Sequence, residues 1–441
     1  MSMEPPNEES PSNAIFEQLE SEVRGYCRAF PTVFKHSKGA SLINEEGQEF
    51  IDFFSGAGTL NYGHNHPDLK AALVEYVLED GIVHGLDMYT TAKRAFLESF
   101  NSQILEPREM NYKVQFTGPT GTNAVEAAMK IARNTTGRTN IISFTNGFHG
   151  MTLGSVAATG NSYYREAAGV DLNNTTFMPY DGYLGEHLDT LVYLEKMLLD
   201  KSSGLDKPAA VIVETIQGEG GINEASYEWL RGLERLCKVN DIVFIVDDIQ
   251  MGCGRTGTFF SFEEAELDPD IITLSKSLSG YGLPMSLVLM KPHLDQWKPG
   301  EHNGTFRGNN LAFVTAKAAI EHFWSDNRFT ESIRQKSWII GKRLHKIRES
   351  YPGIIGVRGR GLVFGVECSP PELAEQICRE AFSRGLIMET SGANGQVAKF
   401  LPPLITDTDT LRAGLDIFEV ALEVALEDFP ELSIDLLEAT P

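Results

Sequence analysis

Six short apolar, β-branched runs, at 113–117, 140–145, 209–215, 242–248, 270–276 and 286–290, constrain this chain more than any other feature. Several are separated by segments with helical spacing, such as 123–134 and 227–240. A strand with one wet face alternates apolar and polar residues. These runs are apolar almost throughout and need cover on both faces. The economical architecture is an α/β fold, a mainly parallel sheet with helices on either side.

Beyond about residue 325 the text changes character. Strand-like stretches at 362–368, 386–390 and 397–401 stand beside helical ones at 372–384 and 409–428, which predicts a smaller α+β C-terminal domain over 326–441. The large domain would then cover 61–325, with two helical patterns between 67 and 99, the first opened by Pro67 and Asp68. Residues 13–60 would form an N-terminal segment joining the small domain. Ile15, Leu19, Val23 and Tyr26 recur there at helical spacing and predict an amphipathic helix over 13–28. Residues 1–12, with Glu4, Glu8, Glu9 and three prolines, read as a disordered tail on a cytoplasmic protein and not as a secretion signal.

Composition removes several function classes. Lys and Arg number 38 against 61 Asp and Glu, a net charge of −23 over 441 residues. Such a surface repels nucleic acid. No stretch approaches the roughly 20 uninterrupted apolar residues of a membrane span. The five cysteines are scattered without CxxC spacing, which argues against a disulfide framework or structural zinc. The acidity is compatible with a surface kept hydrated in a salty cytoplasm.

Two glycine clusters look like anion sites. Gly252-Cys253-Gly254-Arg255-Thr256-Gly257 satisfies GxGxxG, but Thr258-Phe259-Phe260-Ser261-Phe262 after it does not open a helix, so it reads as a turn beyond a strand end. Gly118-Pro119-Thr120-Gly121-Thr122-Asn123 instead joins a strand to an Ala-rich helix. Its free N–H groups and positive dipole end suit a phosphate, with Gly121 allowing close approach and Thr122 offering a hydroxyl. A loop capped by its own threonines is the alternative.

Two further residues end strands of the same sheet. Asp247 follows Ile242–Val246 and points a carboxylate out of the edge where open α/β sheets bind ligands. Lys276 closes the run 271–275 before the flexible Ser277-Leu278-Ser279-Gly280-Tyr281-Gly282. Partial desolvation would lower its pKa and free the amine as a nucleophile toward an aldehyde. A phosphate cup, an acid and such a lysine together meet the needs of pyridoxal 5'-phosphate. Phe148-His149-Gly150, after the strand at 140–145, adds an aromatic to stack on its ring.

These motifs resemble the class III (omega) pyridoxal-phosphate aminotransferases of fold type I, from about Phe30 to the last helix. The resemblance is carried by Gly56-Ala57-Gly58-Thr59-Leu60-Asn61-Tyr62-Gly63-His64, Gly81-Ile82-Val83-His84-Gly85-Leu86-Asp87, Gly118-Pro119-Thr120-Gly121-Thr122-Asn123, Ser143-Phe144-Thr145-Asn146-Gly147-Phe148-His149-Gly150 and Asn303-Gly304-Thr305-Phe306-Arg307-Gly308. Within the family the text is most similar to members that convert L-aspartate 4-semialdehyde and L-glutamate to L-2,4-diaminobutyrate and 2-oxoglutarate in ectoine biosynthesis. A related enzyme acting on another semialdehyde, in siderophore or peptide-antibiotic biosynthesis, is the near alternative. A non-catalytic binding protein on the same fold is the remote one.

The resemblance implies a role for each matching residue. Lys276 would bond the cofactor covalently and shuttle the proton, and Asp247 would pair with the pyridine nitrogen. Ile249 and Phe148 would close the two ring faces, with Gln250 near the ring hydroxyl. Gly121 and Thr122 would hold the phosphate, and Thr305 would reach it from a neighbouring subunit, which implies a homodimer or a larger homo-oligomer.

Two departures stand out. Asp247-Asp248 replaces the common Asp-Glu, and Lys399-Phe400-Leu401-Pro402-Pro403-Leu404 carries lysine where many relatives have the arginine that clamps the glutamate α-carboxylate. Lysine offers a point charge in place of a bidentate fork. Glu219 matches a glutamate that pairs with that arginine, so a Glu219 and Lys399 switch is expected to admit glutamate and an amino aldehyde in turn. His64-Asn65-His66-Pro67 is not read as a metal pair, since nothing acidic or thiol-bearing stands at ligand spacing.

Overall fold

The computed structural model describes residues 13–185, 187–430 and 432. The acidic segment 1–12 lies outside them. Seven strands form the central sheet in the order Lys113–Phe116, Leu287–Met290, Ile271–Leu274, Val243–Asp247, Ala210–Val213, Ile141–Phe144 and Thr175–Met178. Leu287–Met290 runs antiparallel to both of its neighbours, and the other pairings are parallel. Every residue of Ile141–Phe144, Ala210–Val213, Val243–Asp247, Ile271–Leu274 and Leu287–Met290 is buried, which is why these runs carry no polar alternation. The edge strand Thr175–Met178 was not expected. Its Thr-rich text and half-buried pattern give a weaker signal.

The helix Gly121–Thr136 packs Ala124, Ala127, Ala128 and Ile131 onto one face of this sheet, against Ile212, Ile245 and Val288. Small side chains let it approach closely, and Gly137, at φ +68°, ends it in the left-handed conformation that glycine adopts without strain.

A second sheet, antiparallel, has the order Ile355–Arg360, Val363–Cys368, Val397–Phe400 and Glu389–Ser391. The helices Glu372–Ser383 and Thr408–Glu427 pack with it. The expected strand at 386–390 is divided: Leu386–Ile387 leaves this sheet and pairs in parallel with Glu49–Asp52 of an N-terminal hairpin layer.

Two expectations need correcting. The helix over 13–28 is broken into Ala14–Leu19 and Tyr26–Ala29, neither burying a residue. Ile15, Leu19 and Val23 are 53%, 72% and 89% exposed, so the apolar stripe exists but among the described residues it is left largely uncovered, with only Tyr26 meeting a ring, that of Phe54. The second concerns the histidines. His64 pairs with Asp52 (2.7 Å), whereas His66 stands with Asp68 and His322, their ligand-type atoms within 4.8 Å of one another. Asp68, two residues from His66, therefore comes within reach of His66 and His322, with Asp68 and His322 exposed and His64 taking no part.

The GxGxxG segment is a run of turns followed only by a single 3-10 turn at Glu263–Ala265. What it carries is Arg255, fully buried, which donates to the carbonyls of Leu362 (2.9 Å) and Pro402 (2.5 Å) and to Asn61 Oδ1 (2.5 Å). One guanidinium thus ties Asn61 and the central part to the C-terminal part.

Candidate active site

A cleft opens at the carboxyl ends of the central strands, with about 620 Å³ of space including its opening to solvent. Gly121, Thr122, Phe148 and His149 line it, with Asp247, Ile249, Gln250, Lys276 and Glu219. Nine of the eleven residues singled out from sequence are therefore brought together. Lys399 stands one layer back, behind Glu219. Thr305 is apart and exposed, its carbonyl 3.0 Å from His84 Nε2.

Lys276 follows the strand Ile271–Leu274 directly after Ser275, and its backbone adopts φ +48°. A non-glycine residue there is strained by about 1–2 kcal/mol, a cost met at functional sites. Its Nζ donates to the Ala57 carbonyl at 2.7 Å. Ser55, Gly56 and Ala57 all lie at left-handed φ (52°, 57° and 56°), and that turn aims the carbonyl into the cleft. Burial pulls the Lys276 pKa below its ordinary value, against the opposing effect of Glu219. The amine is a better nucleophile for it.

Asp247 is 5% exposed and fully engaged. Its Oδ2 lies 2.7 Å from His149 Nδ1, and its Oδ1 accepts from Thr273 Oγ1 (3.0 Å) and Ile249 N (3.3 Å). These contacts fix the direction of the carboxylate. Asp248, next in sequence, points away to accept from Ser261 N at 3.2 Å, and burial pushes its pKa up to about 8.

At the mouth of the helix Gly121–Thr136, a Cβ on Gly121 would come 2.9 Å from Ile249 Cδ1, so a larger residue there would have to push the Ile249 side chain aside. Thr122 Oγ1 lies 2.6 Å from Thr152 Oγ1. On the opposite wall the Phe148 amide donates to Glu214 Oε2 at 2.9 Å. Burial, and then Asp247, push the Glu214 pKa well above the carboxylate range. Sequence reasoning missed Glu214, although it ends a continuous apolar run just as Asp247 does.

Lys399 is 1% exposed, and its ammonium lies 2.8 Å from both Glu219 Oε1 and Glu389 Oε1. Burial alone would lower its pKa, but the two carboxylates outweigh that and raise it. For Glu219, burial favours the neutral acid, while Lys399 and Lys276 overcome it and hold the carboxyl below its usual range. Gln250 Nε2 donates to the same Glu219 oxygen (2.9 Å) and to the Ala57 carbonyl (3.0 Å), leaving its buried Oε1 unpartnered.

The family model for class III aminotransferases matches residues 24–422. The chain belongs to the class III aminotransferases. It is 60% identical over 416 residues to a diaminobutyrate–2-oxoglutarate transaminase of Bordetella parapertussis, covering 94% of this chain and 96% of that one. A transaminase of the same name from Halomonas elongata is 57% identical over 415 residues, 93% and 99% of the two chains. Among solved structures, the ornithine aminotransferase of Toxoplasma gondii superposes with a TM-score of 0.81 at 26% identity, covering 94% of this chain and 95% of that one. This class III chain is thus a pyridoxal-phosphate-dependent transaminase of fold type I. Its donor set fits that cofactor: an amine free of any carboxylate contact, a hydrogen-bonded aspartate, a helix mouth without a side chain, and an unpaired Gln250 oxygen.

No helix among the described residues is long and apolar enough to cross a membrane.

Proposed function

We propose that this enzyme transfers the amino group of L-glutamate to L-aspartate 4-semialdehyde, giving L-2,4-diaminobutyrate and 2-oxoglutarate, as in ectoine biosynthesis. The observation that carries the reading is the identity of 54–60% to transaminases of that name over 93–94% of this chain. The site's chemistry agrees with it.

Pyridoxal phosphate, when bound, supplies an aldehyde that takes up and hands on the amino group, and a ring that draws electrons from the bond being broken. The Lys276 amine, its pKa lowered by burial, would hold that aldehyde between turnovers and move the proton at the substrate carbon bearing nitrogen. Asp247, aimed by His149 and Thr273, keeps a proton on the pyridine nitrogen. Phe148 and Ile249, which line the cleft, would close the two ring faces to water, and Gln250 would serve the ring hydroxyl. The amides at Gly121 and Thr122 would receive the phosphate at the positive end of their helix.

Lys399 receives a carboxylate of the acidic donor once Glu219 turns aside. When the semialdehyde enters, Glu219 returns to Lys399 beside Glu389. Substrate selection thereby rests on one exchangeable ion pair.

The reading includes a division at about residue 325 into large and small domains, with residues 13–60 joined to the latter. It also includes a homodimer or larger assembly in the cytoplasm. Ile82, Val83, Leu86, Met88 and Tyr89 are exposed near the Thr305 loop, where Phe306 is 65% exposed and packs edge-on against His84. A second copy covering that patch would carry its Thr305 toward this chain's phosphate site.

The test is an amino-acceptor panel with glutamate as donor. Aspartate 4-semialdehyde is expected to give the highest kcat/KM, and a clear preference for a longer semialdehyde would replace the acceptor named here.

A further inference from the structure

The two carboxylates on Lys399 are not equivalent. Glu389 lies on the strand Glu389–Ser391, which pairs antiparallel with Val397–Phe400, and in that register Glu389 faces Lys399 directly. Such cross-strand neighbours share one face of the sheet and are held there by the ladder. Glu219 instead sits in a turn between Gly218 and Gly220, with Gly221 at φ +114°, and its side chain is 25% exposed toward the cleft. The Glu389 side chain is 13% exposed. A lysine ammonium is a point charge with three N–H donors, so it can keep one partner while changing another.

We infer that Glu389 is a specificity-determining residue: a fixed counter-ion that holds Lys399 in place while Glu219 gives way to the donor's carboxylate, and whose charge limits how tightly that carboxylate is gripped. The inference deepens the glutamate-dependent reading above and rests on it. Burial raises the Glu389 pKa against the pull of Lys399, and where both glutamates are ionised an entering carboxylate adds negative charge to a group already at −1 (one ammonium against two carboxylates). The grip is loose by construction. An enzyme that must release 2-oxoglutarate and admit a semialdehyde in the same cleft benefits from that looseness, because a tightly held diacid would block the second half of the cycle.

Glutarate, a diacid that cannot donate an amino group, probes this grip in the holoenzyme by calorimetry. Glu389→Gln, which keeps shape and removes charge, is expected to bind glutarate about five- to tenfold more tightly than the natural protein, the order expected for one nearby charge at a partly wet site. The KM for glutamate should fall in parallel with little change in kcat. Glu389→Asp, which keeps the charge, should stay near the natural affinity, a pattern that a purely structural role would not give. Glu219→Gln supplies a second measurement should Glu389→Gln fail to fold, since Lys399 remains pinned by Glu389 and glutarate should again bind more tightly. Unchanged or weaker glutarate binding in these Gln variants overturns the inference. If the natural enzyme shows the expected glutarate pattern but does not aminate aspartate 4-semialdehyde from glutamate, the substrate assignment fails and the role of Glu389 stands.

Discussion

His149 Nδ1 lies 2.7 Å from Asp247 Oδ2, and both side chains are buried. With Thr273 on the other carboxylate oxygen, Asp247 has a single orientation. Asp247→Asn should lower kcat for amino transfer by about 10²- to 10⁴-fold, since it removes the charge that keeps a proton on the ring. His149→Ala leaves that charge in place but frees its direction, so a smaller loss is expected together with weaker cofactor retention. Single-turnover rates and cofactor titration separate the two.

Arg255 should be a stability residue with no part in the chemistry. Its removal strands the Leu362 and Pro402 carbonyls and Asn61 Oδ1 in the interior. At about 1–3 kcal/mol for each buried group left unsatisfied, Arg255→Ala should destabilise the fold by about 3 kcal/mol or more. Denaturant unfolding measures it, and a loss below about 1 kcal/mol would mean that water replaces the guanidinium.

The pH dependence of stability follows from Asp248. Its folded pKa of about 8 lies above the ordinary aspartate value, so the unfolded chain gives up this proton first. Its contribution is fully present below about pH 4 and is lost as pH rises toward 8. Asp248→Asn, which stays neutral and keeps the acceptor for Ser261 N, should gain melting temperature relative to the natural protein as pH goes from 5 to 8. A constant difference across that range would remove Asp248 as the cause.

Lys399→Ala leaves two carboxylates facing each other and removes the cation for the acidic donor. Its KM for glutamate should rise by about tenfold or more, and that for the semialdehyde by less. Steady-state kinetics with each substrate varied decides this, and equal changes would argue against an exchangeable pair.

The central sheet was legible because its strands are covered on both faces, which leaves continuous runs such as Ala210–Val213 and Leu287–Met290 in the text. Asp247 and Lys276 were legible for a related reason, as polar residues ending apolar strands. The helix over 13–28 misled because periodicity records an apolar stripe and not what lies against it, and Val23 is 89% exposed. Glu389 carried no signal. Its meaning comes from a strand register ten residues away from Lys399, set by the turn between them. The Ala57 carbonyl was equally hidden, since a backbone acceptor aimed by three left-handed residues has no side-chain signature.

The most direct test of the whole account is borohydride reduction of the freshly isolated holoenzyme followed by peptide mass spectrometry. One cofactor-mass adduct per chain, on the peptide holding Lys276 and absent from Lys276→Ala, is the result expected. An adduct on another lysine, or none with pyridoxal phosphate in excess, would contradict it.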